Sequence, residues 1–133
     1  MGNRAVITST KKDLAVYLHW NGGRDTVEPL LTYCRLHGYR SPACDSYGYA
    51  RLCQVMGNFF GGNNCIGLSV YTTDKAMDPG DNGIYVIDEN WEIVERIGAP
   101  FIEQDVYPAS EVIKTLDENM PEGERLLDHL YDC

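Results

Sequence analysis

Long hydrophobic runs are missing from this chain. No segment approaches the ~20 consecutive apolar residues that cross a bilayer, and Met1-Gly2-Asn3-Arg4 leads directly into strand-like sequence without the apolar stretch of about 7–15 residues found in a secretory signal. Both absences exclude a helical membrane protein and point to the cytoplasm. Basic charge is also scarce, with 11 Lys and Arg against 20 Asp and Glu, a net charge of −9 and a pI near 4.6. Direct, non-specific binding to nucleic acid depends on a basic patch that releases counterions, so it is not expected. The chain lacks the closely spaced ligand pairs of a zinc motif. Its five cysteines, Cys34, Cys44, Cys53, Cys65 and Cys133, are odd in number and follow no disulfide-scaffold spacing, which fits reduced thiols. A phosphate loop with its Lys-Ser/Thr, a Ser-centred elbow and a paired-carboxylate arrangement are all absent. The expectation is a binding protein, not an enzyme, with no cofactor and no metal. There is no internal repeat or low-complexity tract, and a single domain over residues 1–133 follows from the length.

What is present alternates between strand and helix periods. Arg4 to Ser9 and Leu14 to Trp20 read as strands joined by Lys11-Lys12-Asp13, with Val16, Leu18 and Trp20 on the core face. Asp25 and Glu28 resemble a capping box opening a helix that runs to about Leu36, with Pro29 placed in its first turn and His37-Gly38 at its end. Tyr47 to Phe60 reads as a second helix with Tyr49, Leu52, Cys53, Met56, Phe59 and Phe60 inward and Arg51 and Asn58 opposite. Cys65 to Thr72, Gly83 to Asp88 and Trp91 to Ile97 read as strands, the last two joined by Glu89-Asn90. Ala109 to Met120 and Glu122 to Tyr131 read as helices. The order ββααβββαα predicts an α+β fold, an antiparallel sheet of about five strands with helices packed on one face.

Charge divides unevenly along the chain. Residues 1–66 hold seven Lys/Arg against four Asp/Glu and residues 67–133 hold four against sixteen, or +3 and −12. An anionic ligand should therefore meet the first half. His19 to Asp25 joins a strand end to a helix start through Gly22 and Gly23, where free backbone amides and Arg24 suit an anion; the same residues suit a tight turn with a solvated Arg24. Asn58-Phe59-Phe60-Gly61-Gly62-Asn63-Asn64 places amides beside two aromatic faces, as a purine requires, although two phenylalanines at helical spacing also suit a core. Arg40, Tyr47, Tyr49 and Arg51 add cations and aromatics around the second helix. Cys34-x-x-His37 is one possible ligand pair and does not by itself make a metal site. Asp117, Glu118, Glu122, Glu124 and Asp128 read as a solvated acidic face, or as a surface for a basic partner.

Five segments carry a resemblance: the opening Met-Gly-Asn-Arg-Ala-Val-Ile-Thr, residues 16–25 (VYLHWNGGRD), 47–55 (YGYARLCQV), 57–62 (GNFFGG) and 81–87 (DNGIYVI). Together they resemble small proteins from phages and prophages of Gram-positive and gut bacteria, over residues 3–97. Within that group the chain resembles the Thoeris anti-defence sponge family, which sequesters cyclic ADP-ribose-type signals and, in some members, cyclic oligonucleotides. The resemblance implies a small α+β homo-oligomer in the host cytoplasm that binds a nucleotide signal without cleaving it. Aromatic, Asn and Arg side chains around the ligand correspond in character to Arg24, Arg51, Asn58, Phe59, Phe60 and Asn63. The alternative is an acidic protein-binding inhibitor of a host defence effector, akin to an anti-CRISPR factor.

Overall fold

The structure, a computed structural model, describes residues 3–60, 66–98 and 109–126. Strand β1 (Ala5–Ser9) turns through residues 10–13 into antiparallel β2 (Leu14–Leu18), with Ile7 opposite Val16. Helices α1 (Arg24–Leu36) and α2 (Tyr47–Phe60) follow, and then β3 (Ile66–Val70), antiparallel to β2 with Leu68 opposite Val16. A short helix, α3 (Asp74–Met77), precedes β4 (Ile84–Ile87) and β5 (Ile93–Ile97), and α4 (Ala109–Glu118) is the last element. The sheet order is β3-β2-β1-β4-β5.

The α+β class agrees with the sequence reading, but the sheet is mixed, not antiparallel. β1 and β4 are parallel, with Ile7 beside Tyr85, and the element order is ββααβαββα. β3 and β4 run the same way with β2 and β1 between them, so no tight turn can join them and the chain crosses the sheet through residues 71–83. The crossover carries α3 and covers the sheet face away from the long helices, where Tyr71 and Met77 pack with Val6, Ala15, Ile84 and Val86. Both parallel strands are buried along their whole length. Such strands read as unbroken apolar runs, and the sequence Ile-Tyr-Val-Ile has that character.

On the opposite face, Ala5, Ile7, Val16, Leu18, Tyr85 and Ile87 pack against Val27, Leu30 and Leu31 of α1, Leu52, Val55 and Met56 of α2, and Leu116 of α4. Each fully buried aliphatic of this kind contributes about 1.5–3 kcal/mol. The Val16 and Leu18 core face agrees with the strand pattern. Trp20 does not, because β2 ends at Leu18 and the Trp20 side chain is 48% exposed.

Local chemistry departs from expectation at three turns. Asp25 does not cap α1: Gly23 is the N-cap without a side-chain bond, and Asp25 lies in the first turn. Pro29 consequently sits past that turn, inside the helix. Trp91 has φ +64 and belongs to the β4–β5 turn, so β5 begins only at Ile93. Of the helix expected over 122–131, residues 127–131 lie outside the described residues; residues 122–125 are turn and bend, and Leu126 is helical.

Candidate functional site

α1 ends in a Schellman arrangement. Gly38, at φ +80, donates to the Arg35 carbonyl at 2.9 Å and Tyr39 to the Cys34 carbonyl at 3.2 Å. This reverses the chain so that Tyr39 and Arg40 lie beside the start of α2. The reversed segment is tied down twice by the β4–β5 turn: Trp91 Nε1 donates to the Tyr39 carbonyl at 2.9 Å, and Ser41 Oγ to the Asp88 carbonyl at 2.6 Å. Gly48 lets α2 approach closely, since a Cβ there would fall 2.2 Å from Pro42 N and 2.3 Å from the Ser41 carbonyl carbon. Deeper in the core, Tyr49 anchors α2 to the sheet by donating to Asp13 Oδ1 at 2.7 Å, with Ser9 Oγ 3.0 Å from the same hydroxyl.

Between the reversed segment and α2 lies a cavity of about 460 Å³ lined by Gly38, Tyr39, Arg40, Tyr47, Ala50 and Arg51. Its cations and aromatics pair crosswise. Arg40, from the loop, lies over the ring of Tyr47 on the helix at 4.9 Å, and Arg51, from the helix, lies over the ring of Tyr39 in the loop at 5.0 Å. Arg40 Nη1 is 3.1 Å from Asp45 Oδ2. Arg51 Nη1 donates to Gln54 Oε1 at 2.9 Å, and among the described residues it has no carboxylate partner. Behind the cavity, His37 stacks on Tyr39 at 4.5 Å and 11° and its Nε2 lies 2.7 Å from the Glu124 carbonyl. Burial pushes the Tyr39 hydroxyl above its ordinary pKa, opposed by the Arg51 charge. The cavity therefore offers two guanidinium groups, two aromatic rings and a neutral phenol, a combination suited to an anion joined to a planar ring.

Of the five described residues among the six singled out from the sequence, the structure brings only Arg51 to this cavity. Arg24 is exposed and its Nε lies 2.8 Å from Glu28 Oε2; it lines a separate polar cavity of about 290 Å³ with Glu28, Arg35, Trp91 and Glu92. Phe59 lines a third, of about 330 Å³, with Asn21, Asp25, Thr26 and Glu111 among its walls. Phe60 meets Phe59 edge to face at 5.2 Å and packs against the helix-side core. Asn58 does not face solvent opposite the core but reaches the segment just after α4, its Nδ2 lying 3.4 Å from Met120 Sδ. Asn63 lies outside the described residues. Tyr49 is buried away from Tyr47 and belongs to the core. Sequence reasoning missed Tyr39, whose signal was its place directly after a helix-ending glycine. The i, i+4 spacing of Tyr47 and Arg51 was the other available clue.

Asp117 is buried, not part of a solvated acidic face, and Asp128 lies outside the described residues. Cys34 is buried, with its thiol pushed up by burial, while Cys44 is exposed. Among the described residues no grouping of three His, Cys, Asp or Glu side chains is placed to hold a metal ion, and no helix is long and apolar enough to cross a membrane. Compared with family models, with curated proteins and with solved structures, the chain matches none.

Proposed function

We propose that this protein binds a phosphorylated nucleoside in the cavity between Tyr39-Arg40 and the first turns of α2, and holds it without cleaving it. The observation that carries this reading is Arg51, a cation without a carboxylate partner among the described residues, stacked over Tyr39 in a cavity of nucleotide size. A phosphate placed there gains a charge-assisted contact and displaces no ion pair from Arg51. Tyr39 and Tyr47 supply faces for a base. The family resemblance extends the reading: a phage-encoded counter-defence protein in the host cytoplasm, sequestering a nucleotide immune signal of cyclic ADP-ribose type. The resemblance also implies a homo-oligomer, in which a neighbouring copy would close the cavity.

Calorimetry with AMP as probe tests the site. Arg51→Ala is expected to weaken binding by about 1.5–3 kcal/mol, the range for hydrogen bonds to charged groups, whereas Arg24→Ala, at a side chain that lines a separate cavity, leaves affinity unchanged. Equal affinity of Arg51→Ala and parent would remove the cavity from consideration. Chromatography of the released ligand should return it intact, and recovery of a hydrolysed product would replace the sequestering role with an enzymatic one. Light scattering is expected to give a multiple of 15.0 kDa, and a monomer with and without ligand would defeat closure by a second copy.

A further inference from the structure

Asp45 stands between the two halves of the cavity without lining it. Its Oδ1 accepts from the Tyr47 backbone amide at 3.0 Å, capping the start of α2, while its Oδ2 lies 3.1 Å from Arg40 Nη1. The carboxylate is held by two partners in different elements, one on each oxygen. Of the two cavity guanidiniums, one is therefore neutralised within the protein and one is not, which leaves a single net positive charge at the wall. A second carboxylate, Glu124, extends its field to Tyr39 from behind, and the whole chain carries −9.

We propose that Asp45 is a specificity residue that biases the cavity towards nucleotides whose phosphates are internal diesters and against those bearing terminal di- and triphosphates. This rests on the reading of the cavity as a nucleotide site. A phosphodiester places one negative charge against Arg51 and leaves the Arg40–Asp45 pair intact. Each further phosphate charge meets a guanidinium already paired and a carboxylate of like sign. Because the pair is solvent-accessible, the discrimination is modest per charge, about two- to five-fold, the range of exposed charge interactions, and it accumulates along a polyphosphate. Salt weakens it.

The test is an affinity panel on the full chain with four probes sharing one base: 3′,5′-cyclic AMP, AMP, ADP and ATP, measured on the parent, Asp45→Asn and Arg51→Ala at low and high salt. Asn retains the oxygen that caps α2 and removes only the charge, so the fold is preserved. The parent should bind cyclic AMP tightest and ATP weakest. Asp45→Asn should leave cyclic AMP within about two-fold and tighten ATP by about two- to five-fold or more, compressing the series as high salt does. Nucleotides that bind and respond to Arg51→Ala, but whose rank and ratios are unchanged in Asp45→Asn, would overturn the role of Asp45 while leaving the site standing. A panel in which nothing binds the parent, or in which Arg51→Ala changes nothing, would overturn the site and the inference together.

Discussion

Tyr33 of α1 donates its hydroxyl proton to Asp117 of α4 at 2.7 Å, a buried bond between residues 84 positions apart. The same carboxylate oxygen also accepts from the Leu126 backbone amide at 2.6 Å. A charged or polar group this deep is tolerated only with partners, so the pair fixes where α4 sits on α1. Tyr33→Phe keeps the ring and removes the donor. It is expected to cost about 1–3 kcal/mol, as for a buried acceptor deprived of a partner, read as a lowered urea midpoint. An unchanged midpoint would show that α4 is held by packing alone.

Alkaline pH should destabilise the protein. Burial first, and then a bond to Asp117 for Tyr33 and to Asp74 for Tyr71, push these hydroxyls above the ordinary tyrosine range; burial likewise raises Tyr39 and Tyr49. Below the unfolded-state value of about 10, both states hold the proton and this stability is fully present. Above it the unfolded chain ionises first, so stability falls as pH rises towards the folded values. Denaturant midpoints across the range from about pH 8 to pH 11 check this, and a flat profile would contradict it.

Gly48→Ala should damage both fold and site. The added methyl would press on the backbone of Ser41 and Pro42, which cannot move aside as a flexible side chain can. Overpacking of this kind costs about 1–3 kcal/mol or more. Separation of α2 from the loop would also pull Arg51 from Tyr39, so nucleotide affinity and melting temperature should fall together. A melting temperature equal to that of the parent would remove the close approach as a constraint.

Chelation should leave the melting temperature unchanged. Cys34 is enclosed by apolar neighbours with its thiol held protonated by burial, and His37 is engaged with Tyr39 and the Glu124 carbonyl. Neither is poised as a ligand, since a thiol must ionise to bind zinc. A drop on adding a chelator, restored by zinc, would establish a structural metal.

Elements whose signals are local were legible along the chain. α2 matches its expected bounds, Tyr47–Phe60, because an apolar stripe at helical spacing needs no distant partner to be recognised. The core face Val16-Leu18 follows in the same way from strand alternation. Strand neighbours do not follow, because hydrophobic period specifies which face is buried but not which strand lies alongside. Only the assembled sheet placed Ile84–Ile87 parallel to Ala5–Ser9 and sent the chain across the far face. The site divides likewise. The types needed for an anion and a ring were visible in Arg40, Tyr47 and Arg51, whereas Arg24 and Phe59 looked equally suitable and lie in other cavities. Tyr39 became a partner of Arg51 through the left-handed turn at Gly38 and the Trp91 hydrogen bond from a hairpin some fifty residues on. That contact depends on a group far along the chain, so no local pattern announces it.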